Sequence, residues 1–176
     1  MRIRLSAFIA VLSVLPHIAS GQGANPVADA FRADAKTVGK NLMDAADLMP
    51  ADKFGYKPTP PQMTWAAIVK HLSGGNDLFC GAIGGVPAPQ RARLDSTATK
   101  AALVGRLRET FAFCDEALSK LDDSKLGEQL TVFGQKMSRA AVMTLTTGDW
   151  ADHYSQAAIY LRLNGLLPPT AKKPAS

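Results

Sequence analysis

The chain has 176 residues, 47% hydrophobic and 20% charged, with 20 Lys and Arg against 15 Asp and Glu for a formal charge of +5. That length suits one ordinary domain with a core of its own. The basic residues are scattered among acidic ones rather than gathered into a stripe, which argues against a nucleic-acid interface.

In chain order, Arg2 and Arg4 precede the apolar run Leu5 to Leu15, which is followed by Pro16 and the small residues Ala19, Ser20 and Gly21. This is the order of a secretory leader. We therefore expect a signal peptide over residues 1–23, cut near Gly21 or Gly23, with an uncleaved anchor as the lesser reading. The protein would then be periplasmic or secreted, and losing Arg2 and Arg4 would lower the charge from +5 to about +3. No later stretch approaches the roughly 20 apolar residues of a membrane span. The domain is expected over 24–169. Residues 170–176, with Lys172 and Lys173, are expected to form a loose tail.

Val27, Phe31, Val38, Leu42 and Met49 recur in steps of four and seven, the signature of a helix face, with Asn25 as cap and Pro26 in the first turn. Four prolines between Pro50 and Met63 exclude a regular helix there and predict an ordered crossover loop. Thr64 then opens a second stripe, Trp65, Ile68, Val69, Leu72, Phe79 and Ile83, which stops at Gly84-Gly85. Past the Pro-rich stretch Val86 to Gln90, a third stripe reads Leu103, Leu107, Phe111, Cys114, Leu118 and Leu121. Asp122 to Lys136 reads as a loop or a short hairpin around Leu130 to Phe133. A last helix runs from Ser138 through Val142, Leu145, Asp149, His153, Tyr160 and Leu163 until Gly165 and Pro168-Pro169 end it. The predicted fold class is all-α, a four-helix bundle with long connections.

Export bears on Cys80 and Cys114, because an oxidising compartment lets a disulfide persist. We expect the bridge, closing a loop of about 34 residues and contributing roughly 3–4 kcal/mol. Two buried thiols acting as small hydrophobes are the alternative.

Bundle cores hold ligands on side chains from facing helices, so polar residues on apolar stripes are the places to seek chemistry. At 100° per residue, Val142, Leu145, Asp149, His153, Gln156 and Tyr160 share one sector of the last helix, which predicts that carboxylate and imidazole point into one interior space. Burial of both requires partners. Asp and His at i and i+4 can chelate a divalent metal from one helix, as two histidines do in HExxH. The bland alternative is an ordinary Asp–His pair worth a few tenths of a kcal/mol. His71 lies beside the second stripe, with Gly74 and Gly75 one turn on, where missing Cβ atoms leave open volume or permit close helix approach. It reads equally as a boundary histidine or as a ligand. Neither GxSxG, a P-loop, HExxH nor a Cys quartet occurs, and Trp65 and Trp150 read as core or interface aromatics.

The segment WAAIVKHLSGGN, a central helix, and DWADHYSQAAIYLRLNGLLPP together resemble the DinB/YfiT-like superfamily of metalloenzymes, in the branch with exported members. The likeness runs from about Val27 to Pro169. It implies a four-helix bundle whose metal site has one histidine on the second helix and two at i and i+4 on the last. His71 and His153 match two of these, and Asp149 stands where the third histidine would be. Two histidines and a carboxylate form a facial triad with open positions, which favours Zn, Ni, Fe or Mn over calcium. The departure at Asp149 either preserves the centre or disables it. Gln156 and Tyr160 are candidates to orient a ligand or a bound oxygen, or else polar tips at the core boundary. The expected function is metal-dependent hydrolysis of an unknown small-molecule substrate. Thiol-dependent transfer, known among similar proteins, draws on cytoplasmic thiols and fits export poorly. The other reading is a non-catalytic bundle that binds a ligand or partner around a degenerate site. A homodimer is open to a bundle of this size, although no external apolar stripe marks an interface.

Overall fold

A computed structural model describes residues 24–171, so the expected signal peptide over 1–23, and Lys172 and Lys173, lie outside the described residues. Four helices carry the fold: α1 (Pro26–Leu48), α2 (Trp65–Gly84), α3 (Lys100–Leu118) and α4 (Arg139–Leu163). A two-stranded antiparallel hairpin, β1 (Gln129–Val132) and β2 (Gln135–Ser138), lies between α3 and α4. Its two-residue turn places Phe133 and Gly134 at φ 51° and 76°, the positive pair that lets a tight turn follow strand twist. Phe133 accepts this conformation at the tip, 73% exposed and edge-on to Phe79.

Side-chain caps set most helix starts. Thr64, Thr99 and Ser138 accept from the amides of Ala67, Ala102 and Ala141, each satisfying a donor that the first turn leaves free. The start of α1 differs from the expectation. Asn25 does not cap it; Asp123, far along the chain, accepts from Val27 and Ala28 at 3.0 and 2.7 Å. The Asn25 side chain instead accepts from the Asp123 amide at 3.0 Å, so the caps are exchanged between two segments. Carbonyl ends are served by cations: Arg32 donates to Leu118 and Leu121, Lys100 to Asp47 and Met49, and Arg139 to Ile83.

The pairing of side chains gives the topology. Asn76, Cys80 and Gly84 of α2 meet Thr110, Cys114 and Ala117 of α3 in the same order, so these helices run parallel and residues 85–99 form the long return. Cys80 and Cys114 are joined in a disulfide with Cα atoms 5.1 Å apart. Gly84 permits the approach, because a Cβ there would collide with the Ala117 carbonyl. Along α4 the order reverses: Trp65 meets Tyr160, His71 meets His153, and Ile83 meets Arg139, making α2 and α4 antiparallel. Helix α1 closes the bundle against α3 and α4, with Phe31 stacked on Trp150 at 6.1 Å and Gly39 against Phe111. Among the described residues, no helix is long and apolar enough to cross a membrane.

Residues from all four helices and the hairpin form one core. Three stripe residues fall outside it: Val27 is 49% exposed, Leu145 40% and Leu163 57%. The inward face of α4 is instead Val142, Met143, Thr146, Trp150, His153, Ala157 and Leu161.

Candidate metal centre

His71 projects from α2, and Asp149 and His153 from successive turns of α4. One donor atom from each lies within 4.8 Å of the other two. The His71 and His153 rings are 4.7 Å apart at 36°, and His71 Nε2 is 3.6 Å from Asp149 Oδ1. The alternative of an ordinary Asp149–His153 pair along the helix is not made; the carboxylate turns across the groove to His71 of α2. Gly75 faces it, a Cβ there standing at an ordinary contact distance of 3.8 Å from Asp149 Oδ2.

Of the two groups that helical phase directs inward, His153 is buried while Asp149 stays partly exposed, and His71 lies at the boundary. They line the edge of the α2/α4 seam, with the His71 side chain 50% exposed, Asp149 20% and His153 10%. The reason lies in α4, which packs on α1 as well as α2: its buried face is centred on Trp150, and Asp149 and His153 flank that centre.

Among the described residues Trp65, Arg139 and His153 have buried side-chain nitrogens without a hydrogen-bond partner, and of these His153 alone is a candidate ligand. It is buried, yet neither Nδ1 nor Nε2 has a hydrogen-bond partner, and buried polar groups are as a rule satisfied. The donor set of two imidazoles and one carboxylate suits a first-row divalent cation. Donors around such an ion at about 2.0–2.2 Å stand roughly 3–4 Å apart, so closing a 4.8 Å span requires a small inward turn. His71, the exposed member, is the group free to make it.

The two residues expected to support the site are directed elsewhere or act at one remove. Tyr160 is buried and its hydroxyl donates to the Met63 carbonyl at 2.9 Å, tying α4 to the crossover loop beside Trp65 and Tyr56. Burial, and then Tyr56, raises its pKa above 10.0. Gln156 donates to Asp152 at 2.7 Å, and Asp152 in turn lies 3.5 Å from His153 Nδ1, so Gln156 reaches the site only through that carboxylate.

A buried polar network directly beneath the site was absent from the sequence reading. Asn76 Oδ1 accepts from Trp150 Nε1 at 2.8 Å, and Asn76 Nδ2 donates to Thr110 Oγ1 at 3.1 Å. The signal was available: Asn76 falls between Leu72 and Phe79 on an otherwise apolar stripe.

The fold is similar to that of a DinB-like protein from Bacillus subtilis, with a TM-score of 0.66 and 19% identity over 82% of this chain and 99% of that one. A DinB-like protein from Bacillus cereus gives 0.67 and 15%, covering 80% and 95% of the two chains. A mutant of the mycothiol-dependent maleylpyruvate isomerase gives 0.59 and 11%, over 73% of this chain and 59% of that one. At these identities the likeness shows the fold. No curated protein matches the sequence. The model of the DinB superfamily matches residues 35–157, which include all three candidate ligands, and the chain belongs to that superfamily.

Proposed function

We propose that this is an exported, metal-dependent hydrolase of a small substrate, with His71, Asp149 and His153 as the ligands of one divalent transition ion. The observation that carries the reading is the burial of both His153 nitrogens without a hydrogen-bond partner, beside the His71 imidazole of the facing helix and the Asp149 carboxylate one turn earlier on its own helix. A bound Zn, Ni, Fe or Mn ion would supply Lewis acidity and bring a coordinated water toward neutral pKa. The protein's own contribution is arrangement. Asp149 brings negative charge directly against His71, and His153 is held by its helix. His71 stands at the open side, where substrate and water enter. Export is supported by the leader pattern and by the Cys80–Cys114 disulfide, which oxidising compartments preserve. Water is abundant there and cytoplasmic thiols are not, which favours hydrolysis over a thiol dependence like that of the mycothiol-dependent isomerase.

Elemental analysis of protein purified without a His tag tests the centre. We expect close to one metal per chain, falling sharply in both His71→Ala and His153→Ala. Unchanged content in either variant rejects the ligand set and leaves a non-catalytic bundle. Loaded protein should also cleave some chromogenic ester, amide or phosphoester in a metal-dependent manner.

A further inference from the structure

The three candidate ligands converge although no short hydrogen bond joins them and neither His153 nitrogen has a hydrogen-bond partner. Something other than the ligands must therefore set α4 against α2. Apolar packing is non-directional, whereas a slip of one residue along a helix moves a side chain by 1.5 Å and turns it by 100°. Such a slip would carry Asp149 and His153 away from His71.

We propose that Asn76 is the positioning residue of this centre, locking the register of α4 on α2 through Trp150; the inference rests on reading His71, Asp149 and His153 as the ligands. Asn76 is 1% exposed and follows Gly75, which faces Asp149. Trp150 is 1% exposed and follows Asp149 directly. The 2.8 Å bond between them thus lies one residue from the ligand Asp149 on α4 and, on α2, one residue from Gly75 and five from the ligand His71. The second arm of the amide, to Thr110, anchors Asn76 to α3, and the disulfide repeats that α2/α3 link one turn later. The Trp150 ring is held from the other side by Phe31 and Phe111, at 6.1 and 5.9 Å. Helix α2 is fixed to α3, and Asn76 transmits that fixed position to α4.

The test uses Co2+, whose visible bands report coordination geometry, and the double variant Asn76→Leu with Trp150→Phe. Replacing both partners by apolar groups leaves no orphaned donor or acceptor, so the variant should fold and unfold near the wild-type midpoint. We expect Co2+ binding at least about tenfold weaker, as for other supports of metal ligands, with altered visible bands. Unchanged affinity and bands in the folded variant would overturn the proposal. Should the double variant not fold, Trp150→Phe alone, which keeps the ring packing, is judged by the same two outcomes. A second readout needs no metal: spin labels on Lys70→Cys and Ser155→Cys should give one narrow distance distribution in the native background and a broader or shifted one without the lock. An identical distribution overturns the lock. Failure of the wild-type protein to bind Co2+ would sink the metal reading alone, with the label distances still deciding the register.

Discussion

Asn76 and His153 are both polar, both buried and both at the α2/α4 seam, yet their surroundings are opposite. Every polar atom of the Asn76 amide that faces the core has a protein partner, while neither nitrogen of His153 has one. A buried polar group whose partners are built in contributes to holding the fold. One left without partners costs about 1–3 kcal/mol, a cost that ligand binding can offset. The same few turns of helix therefore contain a structural polar site and a functional one, and burial alone does not tell them apart.

The contrast predicts opposite responses to substitution. The largest effect is expected at Trp150, where Ala would open a cavity between Phe31 and Phe111 and strand Asn76; we expect a loss of about 3–5 kcal/mol, read as a lower urea midpoint in metal-free protein. A loss below about 1 kcal/mol would mean that the amide and the rings bear little of the load. Replacing Cys80 and Cys114 by Ala should cost about 3–4 kcal/mol if unfolded-chain entropy governs the bridge, again by urea denaturation. That loss should leave Co2+ affinity within about threefold of wild type if Asn76, rather than the disulfide, sets the α4 register.

His153 should behave in the other direction. In metal-free protein, His153→Leu replaces an unsatisfied buried ring with apolar volume, and stability should stay level or rise by about 1 kcal/mol. Metal content should vanish in the same variant. Destabilisation beyond about 1 kcal/mol would show that His153 has a structural partner after all, and would erase the distinction from Asn76.

The sequence made the helices legible because their signals are local: Thr64 and Ser138 cap, Gly165 stops α4, and the stripes recur at helical spacing. Phase also brought Asp149 and His153 to one side of α4. What phase omits is the identity of the neighbour a side faces. Helix α4 packs chiefly on α1, α2 and the hairpin, so a sector that includes Leu145 and Tyr160 spans surface and core alike. Asp123 capping α1 and Arg139 capping α2 are contacts between distant segments, with no trace in either local pattern. Asn76 was readable as a polar break in an apolar stripe, but its partners belong to two other helices.

Tyr160 gives the smallest effect and the sharpest control, since it shares the helix and the burial of His153 but has its own partner in Met63. Tyr160→Phe should cost about 1 kcal/mol through the lost hydrogen bond and leave metal content unchanged. The substitution also carries a pH signature. Burial raises the folded-state pKa of Tyr160 above 10.0, so the neutral phenol is favoured by folding: its contribution is complete below the unfolded-state pKa and is lost as pH rises toward the folded value. Urea midpoints should therefore fall less steeply between neutral and strongly alkaline pH in Tyr160→Phe than in wild type. Equal slopes would place the alkaline sensitivity elsewhere, and lost metal would return Tyr160 to the centre from which its bond to the crossover loop separates it.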